Sequence, residues 1–511
     1  MTLPTSAKPK RHLARSHAWR AVLAVCALGL AACGPVGPAP LATETPAPAP
    51  SPFQPAPVSN GPTPLPTRTT FAPATPFTYT VQTGDTVSAV AAHFNTTPDE
   101  IAAANPGLPL TATLASGLTI TVPAYYYALG GPTFKIIPDS EFVNGPANKD
   151  FDIQAYLPSQ PGFLAQQSAY VAQRQRSAAE TIQYVADMWS IDPKLLLALF
   201  EWRSNALSQA DAPADAIANP LGRPDDASGF YLQADWAATQ LSIGYYGWRS
   251  GALTAVTLRD GYRVREDMAL NAGTVAVHYL LAQLLTRDEF DKAAGPDGFA
   301  ATYYALWGNP FAAGSPPDVI PGNLAQPPLA LPFAPKQVWS LTGGPHPAWG
   351  EDPLLPWSAL DLAPEGVSAC AQTDLWDTAM APGVIARSDD NAVLLDLDGD
   401  GYEQTGWVIF YFHVADRDRI AAGTHVNTGD PLGHPSCEGG EATGAHEHVA
   451  RKYNGEWIPA GGIVPGVLPF DIGGWTAVAG DAPYLGRLMR IGTWAQASTN
   501  TTDQNGIYWA P

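Results

Sequence analysis

Positive charge is scarce in this 511-residue chain: 27 Lys and Arg stand against 47 Asp and Glu, a formal net charge of -20. No basic cluster occurs outside the N-terminal segment, and without an electropositive footprint nucleic acid is not an expected partner. Long apolar runs are missing too. The run Ala21 to Ala32 holds 12 residues, short of the ~18 that a membrane-spanning helix requires. Cysteine is limited to Cys26, Cys33, Cys370 and Cys437. What is abundant points to folded domains joined by irregular stretches: 46% hydrophobic residues and 15 Trp for the first, 51 Pro for the second. A chain of this length outgrows one core, and about three or four domains are expected.

Residues 1–20 are basic and polar and lead into the short apolar run, the layout of a secretion signal. The run ends Leu30-Ala31-Ala32-Cys33-Gly34, which resembles a bacterial lipobox. That resemblance implies removal of residues 1–32, lipidation of Cys33, and an exported protein held on the outer face of the cell membrane. The plainer alternative is an ordinary cleaved signal with an incidental Cys. Residues 33–77 are crowded with Pro, as in Ala47-Pro48-Ala49-Pro50. Such a segment favours polyproline II and forms a tether, with a reach on the order of 130 Å at ~3.1 Å per residue. Once the signal and Cys33 are set aside, Cys370 and Cys437 remain, and in an exported protein they are expected to form one disulfide.

The stretch Tyr79-Thr80-Val81-Gln82-Thr83-Gly84-Asp85-Thr86 reads as a short strand and a turn. A Thr-capped helix over Val87 to Phe94, a second helix with Pro98 in its first turn, and a closing strand over Gly117 to Pro123 follow. The order and phrases resemble a LysM module over 78–124, which implies binding to glycans containing N-acetylglucosamine, such as peptidoglycan.

Residues 150–312 carry long helical patterns rich in Ala, Leu and aromatics and are expected to form an all-α domain. The phrase Ile191-Asp192-Pro193-Lys194-Leu195-Leu196-Leu197 is similar to lytic transglycosylase helices, in which a Glu-Ser pair follows. Here Arg203-Ser204 occupies the aligned place, and Glu201 falls on another side of the helix. Trp236, Tyr245, Tyr246, Trp248, Tyr303, Tyr304 and Trp307 are candidates for a sugar groove, against the commoner role of core. Residues 313–336, with Gly314-Ser315-Pro316-Pro317 and Pro327-Pro328, read as a linker.

The chemistry concentrates in 337–511, where six of the ten His fall. In Gly444-Ala445-His446-Glu447-His448, a strand would project both imidazoles from one face and Glu447 from the other. Paired imidazoles suit a metal better than a core. His425 and His434, beside Gly and Pro, read as surface residues in turns. The ordered phrases Gly343-Gly344-Pro345-His346, Trp357-Ser358-Ala359-Leu360-Asp361, Phe410-Tyr411-Phe412-His413, and Ser436-Cys437 leading to His448 resemble the lysostaphin-type zinc endopeptidases, in particular their beta-lytic branch. In the lysostaphin branch the first ligand lies four positions before the Asp, a place filled here by Trp357. His346, fifteen residues before Asp361, meets the more distant spacing of the beta-lytic branch.

The resemblance implies that His346, Asp361 and His448 bind zinc, with His413 and His446 as catalytic residues beside it. Taken singly, His413 in an apolar run reads as a core residue and Asp361 as a turn carboxylate. A separate acidic stretch, Asp396, Asp398 and Asp400, resembles a calcium loop without the EF-hand's twelfth-position Glu, or else is a plain acidic turn. The whole implies a multidomain chain: a small β-α-α-β module, a helical domain, and a mainly antiparallel β metallopeptidase acting on peptidoglycan. Two alternatives are a non-catalytic wall-binding scaffold that regulates another hydrolase, and a bifunctional enzyme whose helical domain cuts glycan.

Overall fold

The computed structural model describes residues 72–125, 131–223, 225, 228–312, 314–461, 468–500 and 504–509. The expected signal peptide, Cys33 and most of the 33–77 tether lie outside these residues. All described residues belong to one compact unit, 57–511.

At the N-terminal end, threonines set the helix starts. Thr86 caps α1 (Val87–Phe94), and Thr97 forms a capping box with Glu100 on α2 (Pro98–Ala104). β1 (Thr75–Thr80) and β2 (Thr119–Ala124) pair antiparallel, closing a core of Tyr79, Val90, Phe94, Ile101 and Val122. β1 begins inside the stretch expected to be tether, because Phe77 packs on Phe94 and Thr75 pairs with Ala124.

The next region is mainly helical: α3 (Ile153–Tyr156), α4 (Ala178–Trp189), α5 (Pro193–Ser204), α6 (Ala214–Ala218), α7 (Phe230–Ser250), α8 (Ala272–Leu284), α9 (Arg287–Ala293) and α10 (Phe299–Trp307). Two hairpins correct the all-α expectation: β3 (Ser168–Val171) with β4 (Arg174–Ser177), and β5 (Ala255–Thr257) with β6 (Arg263–Arg265). The first turns through Ala172 and Gln173, both at positive φ. That is the twist a two-residue hairpin needs, made without the usual Asn-Gly signal. Tyr245, Tyr246, Trp248, Tyr303 and Tyr304 are buried in the helical core, and Trp236 and Trp307 pack against it.

The C-terminal region is antiparallel β. Its main sheet, nine-stranded among the described residues, runs β13 (His425–Val426), β10 (Gly383–Asp389), β11 (Ala392–Asp396), β12 (Trp407–Phe412), β15 (Glu447–Tyr453), β8 (Ala359–Pro364), β7 (Val338–His346) and β21 (Gly506–Tyr508), with β16 (Glu456–Trp457) beside β15. β14 (Pro431–Gly433) pairs with β9 (Asp377–Thr378). A four-stranded sheet follows in sequence order: β17 (Asp471–Ile472), β18 (Trp475–Ala479), β19 (Gly486–Arg490) and β20 (Thr493–Gln496).

The pleat gives the main sheet two different faces. Leu341, Leu360, Leu362, Ile409, Tyr411 and Val449 pack with Trp475 and Leu488 of the smaller sheet. On the other face Ala359, Phe410, Phe412 and Ala450 join the core of the helical region. The second half of the expected 313–336 linker is not free either: Leu329, Leu331 and Phe333 are buried in the core of the C-terminal β region. Its apolar residues alternate like a strand's, and burying them outweighs the flexibility that the flanking prolines suggest.

One buried cation joins the three regions. The Arg249 guanidinium on α7 lies 3.0 Å from both carboxylate oxygens of Glu456 and 3.1 Å from Asp139, and it also donates to the Thr83 carbonyl.

Candidate metal centre and active site

Strand register brings the site together. His448 on β15 stands opposite Asp361 on β8 on one side and Phe412 on β12 on the other. β7 pairs with β8 irregularly around Gly343 and delivers His346 at its end. A Cβ at Gly343 would collide with the Asp361 carboxylate, so the close approach requires glycine.

Three donor atoms converge. His448 Nδ1 lies 3.0 Å from Asp361 Oδ1, His346 Nε2 lies 3.3 Å from the same oxygen, and the two nitrogens are 3.2 Å apart. Two ligands each ~2.0–2.1 Å from a tetrahedral zinc are about 3.3 Å from one another, so the triangle has the size such an ion needs. All three residues are buried. His346 Nδ1 donates to the Gly344 carbonyl at 2.7 Å, which leaves Nε2 with its lone pair facing the other donors. Burial works against a charged Asp361, but the neighbouring imidazoles of His346, His448 and His446 hold it well below the usual carboxylate range. Burial lowers His448, keeping its ring neutral as a ligand must be.

His413 and His446 stand beside this triangle with their rings 4.5 Å apart. Each donates from Nδ1 to a carbonyl, His413 to Glu438 at 2.8 Å and His446 to Gly444 at 2.8 Å. Both Nε2 atoms are therefore proton acceptors, and that of His446 lies 3.6 Å from Asp361 Oδ1. Burial, helped by the neighbouring imidazoles, pushes His413 down to about 3. His413 also sits at φ 65°, a left-handed conformation uncommon for a side chain with a Cβ. It directly follows β12, and its ring packs on that of His446.

The five side chains floor an open cleft of about 850 Å³ whose walls include Glu351, Thr443, Tyr484 and Thr499. Among the described residues, none from the helical region lines it. Cys370 and Cys437 are joined by a disulfide, and Ala445 N donates to the Ala369 carbonyl at 2.7 Å, so the wall leading to His446 is held twice.

Tyr484 has no local sequence signal. It lies 138 residues beyond His346 in the turn between β18 and β19, yet its ring stacks on that imidazole at 4.0 Å. Trp349, in the loop after His346, packs edge-on against Phe412 and Tyr184, linking the helical region to the strand that precedes His413. The expectation that His434 is a surface residue is corrected: it is buried, its Nδ1 donates to the Leu375 carbonyl at 2.8 Å, and its ring packs on Trp376. His425 is exposed.

Glu447 points away from the metal face, as strand alternation requires. It is fully buried next to Asp377, also fully buried, and burial pushes both carboxyls well above the usual range. Two acids in an apolar core coexist by sharing a proton. Asp396, Asp398 and Asp400 bring carboxylate oxygens within 4.8 Å of one another. Asp396 accepts from Asp398 N and Gly401 N, and Asp400 from Tyr402 N and Thr405 Oγ1, so the carboxylates also build the turn itself.

In the helical region, Glu201 accepts from Leu207 N at 2.8 Å and from Ser208 Oγ at 2.6 Å, tying down the loop after α5. Arg203 donates to the Leu221 carbonyl.

Comparison with known proteins adds five findings. Residues 135–318 match the family description "LasA, N-terminal domain", and residues 79–123 match "LysM domain". Protease LasA of Pseudomonas aeruginosa is 28% identical over 355 residues, 66% of this chain and 78% of that protein. Beta-lytic metalloendopeptidase of Achromobacter lyticus is 28% identical over 152 residues, 28% of this chain and 38% of that one. Among solved structures, the M23 metalloprotease pseudoalterin from the deep sea is 21% identical over 36% of this chain and 99% of its own, with a TM-score of 0.28.

Proposed function

We propose, from the premise that the chain is a homologue of LasA and of beta-lytic metalloendopeptidase with a LysM domain and a LasA-type N-terminal domain, that it is a zinc metalloendopeptidase cutting the peptides of peptidoglycan. The observation that carries this is the triangle of His346 Nε2, Asp361 Oδ1 and His448 Nδ1, with edges of 3.0 to 3.3 Å at the floor of an open cleft.

These three residues would hold the zinc. Three protein donors leave a fourth tetrahedral position, and a zinc ion so held supplies a Lewis acid and lowers the pKa of a bound water towards ~7. The chain's own residues do the rest. Asp361 compensates the ion's charge, and the carbonyl of Gly344 orients His346. His446 and His413, each with Nδ1 tied to a carbonyl, present Nε2 to the reacting group, and one of them takes up a proton there and passes it to the leaving amine. Once protonated, Nε2–H donates to the developing oxyanion. The cleft admits an extended peptide to these two nitrogens.

The LysM module would hold the glycan to which those peptides are attached. The lipobox-like phrase ending at Cys33 would anchor the exported chain to the membrane, and the Pro-rich segment would span the distance to the wall. The acidic loop at Asp396, Asp398 and Asp400 would bind calcium, which added calcium would reveal as a thermal shift absent from Asp398→Ala. A non-catalytic scaffold would not need a complete donor set with two further imidazoles, and Glu201 is engaged in a helix-end tie rather than aimed at a groove.

Digestion of purified peptidoglycan followed by mass analysis of the fragments tests the proposal. New amine termini are expected, and they should vanish with chelator or with His448→Ala. Cleavage that persists in both cases refutes the zinc mechanism, and anhydro-sugar ends would assign the activity to the helical region.

A further inference from the structure

The four-stranded sheet β17–β20 buries one face and leaves the other bare. Trp475, Ala477, Leu488 and Ala495 point into the peptidase core. On the outer face the register sets Met489 beside Trp494 and Arg487 beside Gln496, and all four are exposed, Trp494 by 44%. Ile491, in the turn between those two strands, is wholly exposed. Met489, Ile491 and Trp494 together put a concentrated apolar surface on a rigid sheet, the kind of patch that marks a binding site.

This strip is continuous with the cleft. The turn from β18 to β19 carries Tyr484, which stacks on His346, and Leu485, half exposed. Tyr484 N donates to the Pro345 carbonyl and Gly344 N to the Tyr484 carbonyl, which fastens the turn to the strand holding His346. β19 leaves directly from this turn. At ~3.4 Å per residue, Met489 and its neighbour Trp494 lie roughly 17 Å from the cleft wall, with Arg487 and Gln496 between.

We propose that this strip is an exosite for the glycan strand whose attached peptide occupies the zinc cleft, an inference that rests on the endopeptidase function above. An exposed indole offers a flat π face to the CH face of a pyranose ring, and Met489 extends that surface. Arg487 has no carboxylate partner among the described residues and sits in a chain of net charge -20, so it presents positive charge to a polymer that carries carboxylates. The separation suits a peptide that branches from its glycan: the sugars rest on the sheet while the peptide reaches the metal site. A second copy of the chain fits less well. Around Arg487, Met489, Trp494 and Gln496 that face has no acid, and Asp471, which shares the face opposite Thr476, already accepts from Thr476 Oγ1 and Gly474 N, so a two-fold contact would bury Arg487 without an uncommitted carboxylate to pair it.

The test uses the full-length mature chain with its LysM domain intact, comparing wild type with Trp494→Ala, Trp494→Phe and Arg487→Ala. Two substrates are needed: intact peptidoglycan and a soluble peptide of the wall-peptide sequence without glycan. For Trp494→Ala the expected result is a rise in KM on peptidoglycan on the order of tenfold, the weight of one aromatic contact, with the glycan-free peptide cut as by wild type and Trp494→Phe restoring most of the loss. Co-sedimentation with peptidoglycan should weaken in parallel, and it reads out binding even if no peptide is cut. Unchanged KM and unchanged co-sedimentation overturn the exosite. An equal loss on both substrates overturns it in favour of a structural role, and a wild-type dimer dissolved by Trp494→Ala overturns it in favour of a second copy. A wild type that binds peptidoglycan through Trp494 but cuts neither substrate would sink the endopeptidase function while leaving the exosite in place.

Discussion

His448 and Asp361 face each other across the antiparallel pair β15 and β8, with Nδ1 3.0 Å from Oδ1, and His446 approaches the same oxygen only to 3.6 Å. His446, just before β15, and His448, on it, are therefore unequal. His448→Ala and Asp361→Ala should abolish tight zinc binding, while His446→Ala and His413→Ala should keep the metal and lower kcat by about 10²- to 10⁴-fold. Metal content by atomic emission, measured alongside kcat, separates the two classes. Full zinc loss in His446→Ala would contradict the division.

Glu447 and Asp377 form a buried acid pair on the opposite face of the same strand. Glu447→Ala removes one partner and leaves a carboxyl without a hydrogen bond in an apolar core, at a cost of about 1–3 kcal/mol plus the cavity. Glu447→Gln keeps a donor for Asp377 and should cost much less. Denaturant midpoints of the two variants check this, and equal destabilisation would argue against the shared hydrogen bond.

The disulfide between Cys370 and Cys437 spans a sequence separation of 67 residues. Closing a loop of that size restricts the unfolded chain by about 4 kcal/mol in the chain-entropy view. Replacing both Cys by Ser should lower thermal stability by this order and raise KM more than it lowers kcat. The cleft wall would loosen, but Ala445 remains tied to Ala369. A variant as stable as wild type would show that the bridge constrains nothing else.

Asp85 in the LysM module accepts from the Tyr79 hydroxyl at 2.7 Å and from Gln82 N at 2.8 Å, yet burial raises it to about 6. A carboxyl raised on folding stabilises most below its unfolded pKa of ~3.9, and that contribution is lost as pH rises through the folded value. Relative to Asp85→Asn, wild type should therefore lose on the order of 2–3 kcal/mol between about pH 4 and pH 6. Thermal melts across that window give the comparison, and parallel curves would refute it.

Much of the site was legible from the chain because the signals were local. Strand alternation put His446 and His448 on one face, and capping threonines and Pro98 marked the helices of the LysM module. Four phrases in order selected His346 over the nearer slot filled by Trp357. What escaped was everything set by partners far away in sequence. Ala172-Gln173 turned a hairpin inside a helical region, and Leu329, Leu331 and Phe333 of the expected linker went into the core.

By itself, then, the sequence determined the periodicities, the donor residue types and their order, since these follow from backbone geometry and side-chain chemistry over a few residues. Only the tertiary structure decided that Glu447 meets Asp377, 70 residues earlier, that Tyr484 covers His346, and that His434 is buried. Those outcomes depend on which strands become neighbours, and a buried acid or a stacked ring is stable only because of what the fold packs against it.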